Sequence, residues 1–455
     1  MPAEKVAPDS CEREPAVTSS AYVFLAFLTL LNALNILDRN LIIVFANEIK
    51  ADLHLSNGQF GLLSGLMFTL LYGLISPLIG LIADITHRPR LAAMGLALWS
   101  GLTAASGAAR GFVSFAVPRV SIGVGESALT PPAVSMLADR FPARRMGFAS
   151  GFYYAGVPLG GALAYLVAGT LGVSLGWRTC FFLMGGIGVV LAVVLGAQRD
   201  PRARPAHASG RVARAVGHML ALGPEFGAAM KRSPALVLTL AGALAIHFIN
   251  GAASFDTLWW KEELHLATAP LFLKVALISA TVGFAGSILG GLLGDWWLKT
   301  TGQGRPMLMA VLLLVLTPLG VLYRFTDHAG WIFWLGVAGR TFQGGAVYGI
   351  VLSTLQELVP ARIRATTVAA FILAVNVFGI GVSSTAGGYL IDALGKAGDA
   401  RPISHVLVIL TALSGLAIPC FFFAARRFAG DRAALDAIEA KLASRTAPQP
   451  AIKTA

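Results

Sequence analysis

Residues 80–90 read GLIADITHRPR, and residues 290–305 read GGLLGDWWLKTTGQGR. Each is a glycine-bearing apolar helix end that gives way to an aspartate and then to basic residues: Gly80, Asp84, Arg88 and Arg90 in the first, Asp295 and Arg305 in the second. Two more pairs keep the same step. FPARRMG (141–147) matches VPARIRAT (359–366), and Arg119 with Gly123 matches Arg340 with Gly344. From Asp84 to Asp295 is 211 residues, from Pro142 to Pro360 is 218 and from Arg119 to Arg340 is 221. The chain is therefore a duplicated unit with small insertions.

Outward from these motifs the sequence is apolar. Of 455 residues, 56% are hydrophobic and 13% charged, with a mean hydropathy of +0.72, which excludes an ordinary soluble domain. Twelve stretches are long enough to cross a bilayer as helices. They lie near 21–47, 58–83, 91–109, 111–138, 147–171 and 177–196, then near 234–260, 270–294, 306–324, 330–358, 366–392 and 402–425. The expected fold is an all-α membrane protein, twelve transmembrane helices in two pseudo-symmetric six-helix bundles. Its expected layout is a tail at 1–20, a bundle at 21–196, a central loop at 197–233, a second bundle at 234–425 and a tail at 426–455. Two bundles joined by a polar linker suit alternating access to a site near the membrane midplane. An inert helical scaffold is the competing reading of such a duplication.

The distribution of basic residues orients the chain. Even-numbered loops and both tails hold 24 of the 35 Lys and Arg, odd-numbered loops hold 8, and Arg39, Arg119 and Arg340 lie within spans. Basic loops stay cytoplasmic, so both termini are expected there, in an inner (plasma) membrane if the source is bacterial. The first 20 residues are polar with no cleavable apolar core, so they do not read as a signal peptide. The net charge of +12 is spread between apolar segments and forms no basic face for nucleic acid. Cys11, Cys180 and Cys420 are too scattered for a disulfide framework or metal cluster. No cofactor is expected, and the chain reads as a monomer.

Within the segment ALNILDRNLII (33–43), Asp38 and Arg39 stand side by side where lipid-facing residues would be expected. A charge at bilayer depth costs at least about 2.5–3.5 kcal/mol on insertion scales, so it normally faces a partner or a watery cavity. Asp38 lies roughly 13 Å from the outer end of span one and Arg119 roughly 12 Å from the outer start of span four, which puts them at matching depth. Glu126 follows Arg119 by two helical turns on the same face, roughly 10 Å deeper. Arg39, rotated about 100° from Asp38, is placed to reach Glu126 or a bound anion. Burial and a neighbouring Arg act on a carboxyl in opposite directions, so Asp38 or Glu126 is a candidate proton carrier. A permanent salt-bridge staple between helices is the alternative.

In the second half the position aligned with Glu126 is Val347, so the acid is missing there. Arg340, Phe342, Tyr348 and Phe378 are cavity candidates, with ordinary packing as the alternative for each aromatic. His247 and Asn250 are weaker candidates, either relay groups or interhelical hydrogen-bond partners. Asp256, near the outer end of span seven, reads as solvated. The apparent scarcity of polar residues in spans seven and ten favours an amphiphilic cargo. Gly156, Gly160 and Gly161 around Pro158 make span five either a bending element or a close-packing face. Pro131 and Pro132 loosen span four past Glu126. At the inner ends Asp84 is expected to pair with Arg88, Arg90, Arg144 or Arg145, a latch repeated at Asp295. Residues 211–221 read as a basic amphipathic segment, with Val212, Val216, Met219 and Leu220 opposite the arginines. Residues 431–445 read as a helix with Leu435, Ile438 and Leu442 on one stripe.

Taken together, the spans, the duplication and GLIADITHRPR resemble the major facilitator superfamily over about residues 21–425. LDRN in span one, RVSIGVGESALTPPAVSMLADRFPARRMGFASGFYYAGVPLGGALAYLVAG and GWRTCFFLMGG resemble its Spinster family of lysolipid and sphingolipid transporters. Sugar-acid and other organic-anion symporters of the superfamily share a DR pair in span one and a similar span four. The resemblance implies proton-coupled transport of lysophospholipid or sphingolipid-like amphiphiles. By position it makes Asp38, Arg39, Arg119 and Glu126 the polar cluster, and Asp84 and Arg88 part of the conformational latch. Pro89 stands where the latch motif usually has Gly. A membrane-embedded enzyme or lipid receptor is the rival of another class, and no HExxH, GxSxG or clustered Ser, His and Asp supports an enzyme.

Overall fold

The computed structural model describes residues 18–200 and 211–446; the tail at 1–17, the loop at 201–210 and residues 447–455 lie outside the described residues. Among the described residues twelve helical spans can be followed. They cover 19–44, 57–85, 88–107, 112–138, 143–169 and 171–196 in the first half, and 234–263, 268–301, 305–325, 331–357, 364–396 and 402–446 in the second. We number them one to twelve. A linker helix, Arg211–Arg232, joins the halves. The side chains of Val212, Val216, Met219 and Leu220 lie outside the described set. Span twelve runs on as far as Thr446, with Leu435 half-buried, Ile438 exposed and the Leu442 side chain outside the description.

The duplication appears in the packing. In the first half span one lies on span five, span three on spans four and six, and span two on span four; in the second, span seven lies on span eleven, span nine on spans ten and twelve, and span eight on span ten. The halves meet where span two packs on span eleven and span five on span eight. With no hydrophobic drive between helices in lipid, close backbone approach sets such contacts. Gly125 is one case: a Cβ there would sit 2.8 Å from the Gly95 carbonyl oxygen and 2.8 Å from the Trp99 nitrogen. Spans three and four thus touch backbone to backbone beside Glu126. Gly156 and Gly160 likewise seat span five on span one, whereas Gly161 faces open space; Gly156 and Gly160 act as a packing face.

Several spans are broken. Span two is interrupted at Gly65, and span four at 127–129, ahead of Pro131 and Pro132. Spans seven, eight and eleven carry π-helical turns at Trp259–Glu263, Ser279–Gly283 and Val375–Gly381. Such turns often mark functional segments of helices.

At the face away from the linker, polar contacts cross between the halves. Lys50 pairs with Glu262 at 3.0 Å and Lys261 with Glu48 at 3.1 Å. Asn47 Nδ2 donates to the Thr257 carbonyl at 2.9 Å, and the Thr257 hydroxyl donates to the Ile43 carbonyl at 2.7 Å. Asp392 of span eleven accepts the backbone N–H groups of Asn57 and Gly58, at 3.0 and 2.8 Å, and the Asn57 amide at 2.9 Å. These donors are the unpaired first turn of span two, so one carboxylate of the second half caps a helix of the first. The Lys261–Glu48 pair is exposed and Glu262 is exposed while Lys50 is half-buried, so each pair is individually weak.

Candidate functional site

Span one turns one face into its own half and a neighbouring face toward the space between halves. Asp38 lies on the inner face, 3% exposed, and accepts a hydrogen bond from Trp99 Nε1 of span three at 3.2 Å. Its other oxygen is buried, with the Thr103 hydroxyl as its neighbour. Arg39, one helical step on, forms an ion pair and hydrogen bond from Nε to Glu126 of span four. The Arg39 side chain is 22% exposed and that of Glu126 is 0% exposed. The acid therefore stands behind the guanidinium, which alone of the two is partly accessible to solvent. The guanidinium carbon of Arg39 lies 4.3 Å from the Tyr72 ring centroid and 5.0 Å from that of Phe68, an arrangement in which aromatic faces stabilise a desolvated cation.

Arg119 is placed differently from what depth alone suggests. It forms no ion pair with Asp38. Its guanidinium donates to the Arg39 carbonyl at 3.2 Å and the Leu63 carbonyl at 3.4 Å, and sits 4.9 Å from the Phe68 ring centroid. Leu63 lies two residues before the break at Gly65 and Arg39 lies on span one, so Arg119 fastens spans one, two and four together. The second oxygen of Glu126 is buried, with the Asn35 amide as its neighbour.

The second half contains a cluster that the sequence reading misplaced. Asp256 is not solvated but completely buried, bound by Arg324 at 2.7 Å and by Arg340 at 3.0 Å. Two features explain this: span seven continues past Asp256 to Glu263, carrying Trp259 and Trp260 over it, and span nine reaches Phe325. Arg324 lies between the Trp259 and Tyr323 rings, 4.6 Å from each centroid. Arg340, a sequence candidate for the cavity, instead points at this acid and is 14% exposed. Asp38 and Asp256 are 218 residues apart, the offset of the repeat. Each half thus holds an acid on its first helix, bound from its third, with an arginine on its fourth.

Deeper in the second half His247 is fully buried. Its Nδ1 faces the Ala243 carbonyl at 2.6 Å and its Nε2 the Tyr348 hydroxyl at 3.1 Å. A carbonyl only accepts, so Nδ1 carries the hydrogen and Nε2 accepts from tyrosine. Tyr348 in turn stands within electrostatic reach of Arg39 and Tyr72 of the first half. Asn250 is half-buried, Gln343 is buried, and both border a small cleft with His247. Spans seven and ten are therefore not poor in polar groups, contrary to the hydropathy reading. Phe342 is half-buried and Phe378 is exposed.

The inner-end arginines have these partners among the described residues. Arg88 pairs with Asp139, binds Asp200 at 2.6 Å and donates to the Ser135 hydroxyl at 3.0 Å. Arg145 donates to the Tyr22 hydroxyl at 2.8 Å, and Arg90 is exposed. The side chains of Asp84 and Arg144 lie outside the described residues. In the second half Arg305 takes Asp295 at 2.8 Å and Glu357 at 2.5 Å. Asp139 and Glu357 are again 218 apart. In both halves the arginine at the start of the third helix reaches the end of the fourth, so these pairs bind within a half.

Trp99, Tyr72, Phe68, Arg324, Gln343, Asp139 and Asp200 escaped the sequence reading. The repeat offset applied to Asp38 leads to Asp256, and applied to Asp139 it leads to Glu357, but position alone does not say which of these acids is buried.

A model of the Major Facilitator Superfamily matches residues 28–381. A protein described as an MFS-type efflux pump, from Mycolicibacterium smegmatis, is 27% identical over 95% of this chain and 99% of its own length. Protein spinster of Drosophila melanogaster is 23% identical over 68% of this chain, though the match spans only 51% of that protein. Among solved structures, a bacterial homologue of the human lysosomal transporter Spinster, inward-facing and unoccupied, superposes with a TM-score of 0.76 and 24% identity. It covers 92% of this chain and 99% of its own, and this likeness speaks to the fold.

Proposed function

This chain belongs to the major facilitator superfamily and is a secondary transporter, and we propose that it carries a lysophospholipid or sphingolipid-like amphiphile with an acidic head, coupled to protons, in a membrane with both termini cytoplasmic. The observation that carries this reading is the placement of Arg39, partly exposed in front and ion-paired behind to the sealed Glu126. An anionic head arriving at Arg39 competes with the Glu126 carboxylate for one guanidinium. A displaced carboxylate in a sealed apolar site is costly unless it takes a proton. Anion and proton therefore bind together and leave together. Tyr72 and Tyr348, close to Arg39 from either half, offer aromatic surface to the apolar part of the cargo.

A second reading is a symporter of small organic anions, such as sugar acids. The specific observation favouring it is the neutral polar group of His247, Asn250 and Gln343, which suits a hydroxyl-rich cargo.

Flux in proteoliposomes separates the two. Labelled lysophosphatidic acid should move, several-fold faster with a proton gradient imposed in the direction of travel. Transport of a sugar acid with no lipid flux would overturn the lipid assignment, and flux indifferent to the gradient would overturn the coupling.

A further inference from the structure

Beneath the Asp256 cluster, one turn further along span ten, Gln343 is 1% exposed, yet neither its amide oxygen nor its amide nitrogen has a hydrogen-bond partner. A buried polar group left unpaired costs roughly 1–3 kcal/mol, so its retention calls for a reason. The side chain lines a cleft with His247, Asn250, Gly344, Val347 and two isoleucines of span seven. Its free space suits a group about the size of one water. Both His247 nitrogens are already engaged, with Ala243 and Tyr348. Nearby charge is spent too: Arg340 is bound to Asp256, and Val347 occupies the place where the first half has Glu126. The unengaged polar atoms of Gln343 are thus one donor and one acceptor in neutral surroundings.

We propose that this cleft is the hydroxyl-reading subsite of the carrier, in which Gln343, with Asn250 at the mouth, receives a neutral hydroxyl of the cargo. The chemistry selects the group. A carboxylate or phosphate oxygen would satisfy the Gln343 N–H and leave its carbonyl unpaired, while an ammonium would do the reverse. A methyl or methylene would leave both unpaired. A hydroxyl, like the single water it would displace from a cleft of this size, donates and accepts in one small group. The halves then divide recognition: the first reads charge through Arg39, and the second reads a hydroxyl through Gln343. The inference rests on the transport reading but not on which cargo class is carried.

The test compares ligands that differ by one hydroxyl. Purified full-length protein is titrated with 1-oleoyl lysophosphatidic acid and with its analogue lacking the glycerol 2-hydroxyl. Parallel titrations use galactonate and a deoxy counterpart. Wild-type protein should prefer the hydroxylated member of the pair it binds by about tenfold or more. Gln343→Leu and Gln343→Met should reduce that preference to less than about twofold. Gly344→Val provides a second route, since a Cβ at Gly344 meets no atom within 4 Å, and it should narrow the cleft and lose the same preference in a folded protein. Binding confined to the sugar-acid pair would sink the lipid reading and leave that pair to decide this one. A preference that survives in the variants, or a wild-type protein with no preference in any pair, overturns the subsite.

Discussion

Glu126→Gln carriers should exchange cargo across a membrane at near wild-type rates yet fail to concentrate it. Glutamine matches the protonated acid in shape and charge, so Arg39 is permanently free for the anion and binding persists. The carboxylate that must rejoin Arg39 when the cargo leaves is gone. With one coupled proton, a gradient of about one pH unit supports about a tenfold accumulation, because one unit is about 1.36 kcal/mol. In Glu126→Gln proteoliposomes that ratio should fall to about one, while counterflow of labelled against unlabelled cargo continues. If the variant still accumulates cargo in response to the gradient, Glu126 is a structural staple and the coupling lies elsewhere.

The second large effect concerns stability. Asp256 is bound to both Arg324 and Arg340, and all three are largely sealed from solvent. Asp256→Asn leaves two buried guanidinium groups without a counter-charge, and breaking such a pair costs roughly 3–5 kcal/mol. The unfolding temperature in detergent should drop by several degrees, with loss of monodisperse protein. Adding Arg324→Gln to Asp256→Asn removes one stranded cation and should restore part of the loss, a non-additivity expected only of groups in one network. Unchanged unfolding of the single variant would mean that the cluster does not hold the far end of the second half together.

These two cases also mark where the sequence speaks and where it does not. The repeat of GLIADITHRPR and the spacing of Arg119, Glu126 and Val347 reveal the duplication and its asymmetry, because helical periodicity turns sequence distance into a shared face. The meeting of Arg39 with Glu126 is likewise readable from rotation about span one. Burial of Asp256 is not, because hydropathy cannot place the end of a span. Arg324 and Asp256 lie near such ends, where a shift of a few residues separates solvent from protein interior. The partnership of Trp99 with Asp38 depends on the close approach of spans three and four at Gly95 and Gly125, a three-dimensional fact. Gln343 escaped for a different reason: a single amide on a membrane helix looks like ordinary interhelical bonding until its lack of partners is seen.

Everything in the coupling scheme depends on the anion and the Glu126 carboxylate competing for Arg39, and proton uptake on binding measures that competition most directly. Anionic cargo is added to weakly buffered, detergent-solubilised protein at a pH where Glu126 is ionised in the resting state, and the pH change is followed with an indicator. Linkage requires about one proton taken up per cargo bound by wild-type protein and none by Glu126→Gln. Saturable binding without proton uptake in the wild-type protein, or equal uptake in the two proteins, would contradict it.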